Sequence, residues 1–325
     1  MEQEYPEIHY RKTDSGIVIT ACFGEEGNVY LPDEIDGTCV TAIAPYAFAG
    51  GGADGEEKVW NPKGQSQKND NGKQRLEFEN LTELRLPRWT REVGRYAFYR
   101  CRNLRKLTLA DGILEIGGGA LNGCRISETE IHLYSGERCA LKSILDEIRY
   151  QVHVRMYYHG EGEALRRAEV LFPEHYEEAV ENTPARILYT SHHGAGGYYR
   201  QCFYDRKLDY KKYDGTFPRA LAEEKEETVI ELAVKRLLYP YELDHRAKNQ
   251  YEDYLREHLV QAAVHFVEEP DAEALAYLGK NSFWTKEALG AGIDCAAKLG
   301  KTEVLSKLMD EKHRAFPKGK KTFEL

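Results

Sequence analysis

Between residues 81 and 124 the apolar and polar positions run through one pattern twice. Leu81, Leu84 and Leu86, separated by Thr82, Glu83 and Arg85, return 23 residues later as Leu104, Leu107 and Leu109, separated by Arg105, Lys106 and Thr108. The second half of the unit keeps the same step, from Val93-Gly94-Arg95-Tyr96-Ala97-Phe98 and Cys101 to Ile116-Gly117-Gly118-Gly119-Ala120-Leu121 and Cys124. An earlier copy, Val40 to Gly50, lies 50 residues ahead of its counterpart, and a half copy with Ile126, Ile131 and Leu133 closes the series. Successive side chains of a strand point to opposite faces, so the alternation predicts a short strand with Leu84 and Leu86 inward and Arg85 outward. Val93, Ala97 and Phe98 then supply a second inward patch, and each unit predicts one coil. No coil buries its apolar face alone, so coils must stack. The 50-residue shift exceeds one unit, and residues 51–77 hold the excess. They are glycine-rich, charged and nearly free of aliphatics, which predicts a mobile insertion.

Beyond Tyr134 the pattern changes. Ala140, Leu141, Ile144, Leu145 and Ile148 have helical spacing, and Val152, Val154 and Met156 alternate with His153 and Arg155 as in a half-buried strand. Residues 186–190 and 198–203 read as two strands of a hairpin joined by the glycine-rich loop 191–197. From residue 218 the spacing is helical. Val229, Ile230, Ala233, Leu237 and Leu238 form one stripe, stopped by Pro240. Leu255, Leu259, Ala262, Ala263 and Phe266 form the next, ending before Pro270, and further stripes continue to Met309. The expected fold class is α+β, with a repeat solenoid over 1–134, a mixed segment with a β-hairpin over 135–217 and a helical domain over 218–325.

The repeat residues also carry a family resemblance. Leu84-Arg85-Leu86-Pro87, Val93-Gly94, Ala97-Phe98 and Cys101, followed by Asn103-Leu104, Leu107, Leu109, Ile116-Gly117, Ala120 and Cys124, resemble the bacterial BspA-like leucine-rich repeats over about residues 15–134. Leu121 stands where that pattern has Phe. The resemblance implies a short leucine-rich-repeat solenoid. Near 289–309 the chain is similar to the paired helices of one ankyrin-type unit, with Gly300 at the turn and Thr302 placed to cap the second helix. Solenoids offer extended surfaces, so the implied function is non-catalytic protein–protein interaction or scaffolding.

Composition narrows the partners. The net charge is −9, with 45 Lys+Arg against 54 Asp+Glu, and no third of the chain is basic, so general nucleic-acid binding is not expected. No apolar run is long enough to span a bilayer, and the N-terminus has no signal-peptide pattern. The seven cysteines are scattered, with no CxxC pair, which fits a reducing cytoplasm and neither a disulfide framework nor a zinc site. No cofactor is implied. Fifteen of the 22 tyrosines lie between Tyr134 and Tyr254, and a ring with an apolar body and a polar tip suits half-buried junctions or interfaces.

Two groups of residues invite chemistry. Within 81–106 seven arginines and Lys106 meet only Glu83 and Glu92. Arg85, Arg88, Arg91, Arg95 and Arg105, together with Tyr198 and Tyr199, are the expected binding surface, for a protein partner with an acidic segment; the alternative is that acidic residues of the same chain answer the arginines. The other group is Cys202 with His192 or His193. A thiolate needs an adjacent base to become a nucleophile, so these three residues carry the alternative function, a hydrolase with a thiol or metal site in 150–215. Adjacent histidines on a strand point apart, no third ligand has metal spacing, and no GxxxxGK[ST], GxSxG or HExxH pattern occurs, so the reading leans away from an enzyme.

Overall fold

The computed structural model describes residues 5–51, 56–61, 73–160, 164–182 and 187–317. They divide into two compact units between Thr216 and Phe217.

The first unit runs through β1 (Glu7–Thr13), β2 (Gly16–Gly24), β3 (Asn28–Tyr30), β4 (Glu34–Ile35), β5 (Thr38–Ile43), β6 (Lys58–Trp60) and β7 (Gln74–Arg75). It continues with β8 (Glu83–Arg85), β9 (Glu92–Val93), β10 (Lys106–Ala110), β11 (Glu128–Leu133), α1 (Leu141–Glu147), β12 (Val152–Tyr158) and β13 (Arg166–Phe172). After these come β14 (Tyr176–Asn182), β15 (Ile187–His193), α2 (Gly196–Tyr199), β16 (Phe203–Tyr204), β17 (Lys207–Leu208) and α3 (Tyr210–Gly215).

The repeats form a leucine-rich-repeat solenoid. Their first strands make a six-stranded sheet in the order β13-β12-β11-β10-β8-β3, parallel from β3 to β12 and closed by antiparallel β13. Val29, Leu84, Leu107, Thr129, Val154 and Val170 stand in one register row and are all buried. Each such leucine contributes about 1.5–3 kcal/mol by leaving water. Ile43, Val93 and Ile116 make the second ladder. Between coils, the Phe48 N–H donates to the Ala97 carbonyl and the Phe98 N–H to the Ala120 carbonyl, at 2.8 and 3.0 Å. The repeated cysteines bind the same way, Cys101 Sγ to the Phe48 carbonyl at 3.2 Å and Cys124 Sγ to the Phe98 carbonyl at 3.1 Å. In the third coil the next carbonyls are replaced by a side chain. Gly119 N–H and Leu121 N–H both donate, at 2.7 Å, to the Glu147 carboxylate at the end of α1.

Several elements differ from the sequence expectation. Of 51–77, residues 52–55 and 62–72 lie outside the described residues, but β6 pairs with β1 and β7 with β2, and Leu76 is buried. Half-buried Trp60, edge-on to Tyr5, and buried Leu76 give those short stretches something to pack. The six-stranded sheet runs on past Tyr134 to Phe172, because the alternation of β12 matches the repeat register and pairs Thr129 with Val154. The hairpin is β14–β15, and 198–203 is not its second strand. Gly196–Tyr199 is a helical turn instead, since a Cβ on Gly196 would lie 2.1 Å from the Glu174 carbonyl and glycine alone permits that approach.

The second unit is helical: α4 (Phe217–Glu223), α5 (Glu226–Leu238), α6 (His245–Glu257), α7 (Leu259–Glu268), α8 (Ala272–Lys280), α9 (Lys286–Lys298) and α10 (Thr302–Ala315). Asp244, Asp271 and Thr285 cap three of these helices by accepting from the backbone three residues on. The expected stripe over 255–266 is two helices broken at His258. Gly300 has φ +69° at the α9–α10 turn, as the sequence suggests, but Thr302 does not cap α10. Lys301 before it donates to the carbonyls of Val267 and Glu268 at the end of α7, a cation at a helix C-terminus.

Candidate functional site

Outward residues of the six-stranded sheet stand in rows as regular as the inward ones. Tyr30, Arg85, Thr108, Glu130, Arg155 and Glu169 share one row. Toward its C-terminal strands the charges answer one another. Arg155 meets Glu128 at 2.8 Å and both Glu130 and Glu169 at 3.1 Å, Arg167 also binds Glu169, and Lys106 meets Glu130 at 3.0 Å. Burial works against the Glu130 carboxylate, yet Lys106 and Arg155 hold it below the usual range. Among the described residues no carboxylate ion-pairs with Arg85. Arg85 borders a recess of about 160 Å³ with Tyr30, Glu83, Lys106, Thr108, Glu130 and His132.

Beside that recess is an aromatic stack that sequence reasoning missed. His132 Nδ1 lies 3.0 Å from His159 Nε2, His132 stacks on Tyr157 at 5.0 Å, and Tyr134 stacks on His159 at 4.2 Å. Burial, with His159 and Arg85 adding to it, pushes His132 below its ordinary value. Arg88 lies 3.9 Å above the Tyr134 ring and 4.8 Å from that of Trp89. His132 is in β11 and His159 directly follows the adjacent parallel β12, and no local pattern announces their pairing.

The arginine run is divided by the coil. Arg85 and Arg88 flank the sheet face. Arg95 and Arg100 sit on the turn after β9, where they lie 5.8 Å over Tyr96 and 5.1 Å over Tyr99. Arg105 donates to the carbonyls of Arg102 at 2.6 Å and Arg125 at 3.5 Å, and Arg91 is exposed. All seven arginines of 81–106 are exposed, and among the described residues none is ion-paired.

Tyr198 is 41% exposed, but Tyr199 is fully buried and cannot line a surface. Its ring packs edge-on against Tyr213 at 4.7 Å, in a core where Tyr213 Oη accepts from the Leu171 N–H and donates to the Leu171 carbonyl, covering the edge of β13. Tyr158 and Tyr210 hydroxyls meet there at 2.8 Å. Buried Arg200, also missed, ties this region together by donating to the carbonyls of Ile148, Pro173, Gly196 and Tyr150.

The thiol and the histidine of the alternative site belong to different surroundings. Cys202 is buried, with Sγ donating to the Tyr198 carbonyl at 3.3 Å and 3.5 Å from Thr216 Oγ1, and burial pushes its thiol up. His193 is exposed, lies tilted against the Tyr176 ring at 5.4 Å and faces Glu178 at 3.4 Å; the side chain of His192 lies outside the described residues. Among the described residues no three His, Cys, Asp or Glu side chains are grouped to hold a metal ion, and no helix is long and apolar enough to cross a membrane.

Neither a curated protein nor a solved structure matches the chain. Residues 72–149 match the family model described as a BspA type leucine rich repeat region (6 copies). The stacked coils, with their inward leucines and cysteines, thus resemble the BspA-like leucine-rich repeat proteins.

Proposed function

We propose that this chain is a non-catalytic protein-interaction or scaffold protein of the cytoplasm, whose leucine-rich coils present the docking surface to a partner with an acidic segment. The observation that carries this reading is the contrast on the sheet face: Lys106 and Arg155 are answered by carboxylates, while among the described residues the guanidiniums of exposed Arg85 and Arg88 are in no ion pair, the Asp33 carboxylate taking only the Arg88 backbone N–H. Seven free cysteines accord with a reducing compartment. The α9–α10 hairpin is the ankyrin-like part of the reading. Affinity capture from the native cell extract tests it, with wild-type protein beside Arg85→Glu/Arg88→Glu. A defined partner retained by the wild type and lost by the double variant is expected. An identical set of retained proteins, or a turnover abolished by Cys202→Ala, overturns it.

A further inference from the structure

The turn after the second ladder carries a feature that the sheet face does not explain. Tyr46 in the first coil and Tyr96 in the second occupy one repeat position, and Gly119 occupies it in the third. All three have left-handed backbone, with φ +57°, +56° and +73°. Glycine is the residue that conformation favours, and the third coil uses it. The first two coils keep a tyrosine there. The inward places belong to Ala47, Phe48, Ala97 and Phe98, while Tyr46 is 42% exposed and Tyr96 is half-buried, with its ring lying over Gly119 of the third coil. The rings stack on each other at 5.2 Å, and Tyr99 meets Tyr96 edge-on at 5.6 Å.

Arg95 and Arg100 flank this ridge, each over a tyrosine ring. A guanidinium lying on a ring keeps its in-plane N–H donors for a carboxylate, which it binds with two bonds. The chain holds more acid than base, yet among the described residues no carboxylate pairs with either arginine. Arg100 also has left-handed backbone, at φ +62°, where Gly50 and Gly123 stand in the neighbouring coils.

We propose that Tyr46, Tyr96, Tyr99, Arg95 and Arg100 form a docking ridge for an acidic segment of a partner protein that carries an aromatic ring. Its carboxylates take the two guanidiniums and its ring lies on the tyrosine stack. This rests on the interaction reading above and adds a second surface, distinct from the sheet face.

The test uses the full chain and a short fluorescent peptide of Glu and Asp around a single Trp, with the same peptide in Gln and Asn, and oligo-dT, as comparators. Peptide affinity is expected to fall at least about tenfold in Arg95→Ala/Arg100→Ala and to weaken with added salt. It is expected to be retained in Arg85→Glu/Arg88→Glu. Tyr46→Gly/Tyr96→Gly should also lose the peptide without a lower melting temperature, because glycine suits the left-handed backbone. Unchanged affinity in Arg95→Ala/Arg100→Ala, equal binding of the amide peptide, no binding by the wild type, or tighter binding of oligo-dT overturns the ridge. Loss of the peptide only in Arg85→Glu/Arg88→Glu overturns the ridge and leaves the interaction reading standing. The ridge also falls if Tyr46→Gly/Tyr96→Gly lowers the melting temperature while the peptide still binds, since the rings then serve packing.

Discussion

A solenoid must end its hydrogen-bond ladder somewhere, and here Glu147 ends it. In the first coil the N–H groups at the tyrosine and phenylalanine positions are satisfied by carbonyls of the next coil, Tyr46 donating to Arg95 and Phe48 to Ala97, and in the second coil Phe98 donates to Ala120 in the same way. The matching groups of the third coil, Gly119 and Leu121, have no coil beyond them and donate to the two oxygens of one carboxylate. Glu147→Ala removes both acceptors while Leu141, Ile144 and Leu145 still pack α1. A hydrogen bond to a charged group contributes about 1.5–3 kcal/mol and the two share one carboxylate, so the expected loss is about 2–4 kcal/mol. With a slope of about 2–3 kcal/mol/M in urea, the unfolding midpoint of the first unit drops by about 1 M. Glu147→Gln keeps one acceptor oxygen and should lose about half as much. Hydrogen exchange locates the effect: amides in 116–124 lose protection, while those of the second unit do not change. The reasoning is refuted if both variants stay within about 0.5 kcal/mol of wild type, the range of ordinary surface changes, with protection at Gly119 and Leu121 intact.

Other consequences follow from the same contacts. Leu107 is fully buried in the inward row, so Leu107→Ala should cost about 2–5 kcal/mol, measured by urea unfolding of the first unit. Thiol titration under native conditions should modify Cys39 and Cys295 quickly and leave Cys22, Cys101, Cys124, Cys139 and Cys202 slow, because those five are buried away from reagent while Cys39 and Cys295 are partly exposed; rapid reaction of Cys202 would revive the thiol site. In the second unit the bond from His265 to Glu231, at 2.9 Å, outweighs burial and holds the imidazole above its ordinary value. A raised folded value gives stability that is fully present below about pH 6.5 and lost as pH rises through the folded value. The melting temperature of that unit should therefore fall over this rise, and His265→Gln should flatten the fall.

The coils were legible because burial is written into the period: Leu81, Leu84 and Leu86 predict Leu104, Leu107 and Leu109, 23 residues on. What the period omits is pairing. Val152, Val154 and Met156 alternate in the same way whether they begin a new segment or add a strand to the old sheet, and only the register of Thr129 against Val154 decides. The glycines at 196 and 197 look like a loop in the sequence, whereas Gly196 is small to admit the Glu174 carbonyl. Charge behaves likewise. A run of seven arginines is visible at once, but the carboxylates that would silence it can come from anywhere in the chain. Arg155 shows how: its three partners, Glu128, Glu130 and Glu169, stand on two other strands, up to 27 residues away. Arg85 shares a register row with Arg155, yet its own neighbours in that row are Tyr30 and Thr108, which carry no charge. The same stacking that lets one arginine collect three carboxylates therefore leaves the other facing solvent, and an acidic chain keeps a basic face because register, and not composition, assigns the neighbours.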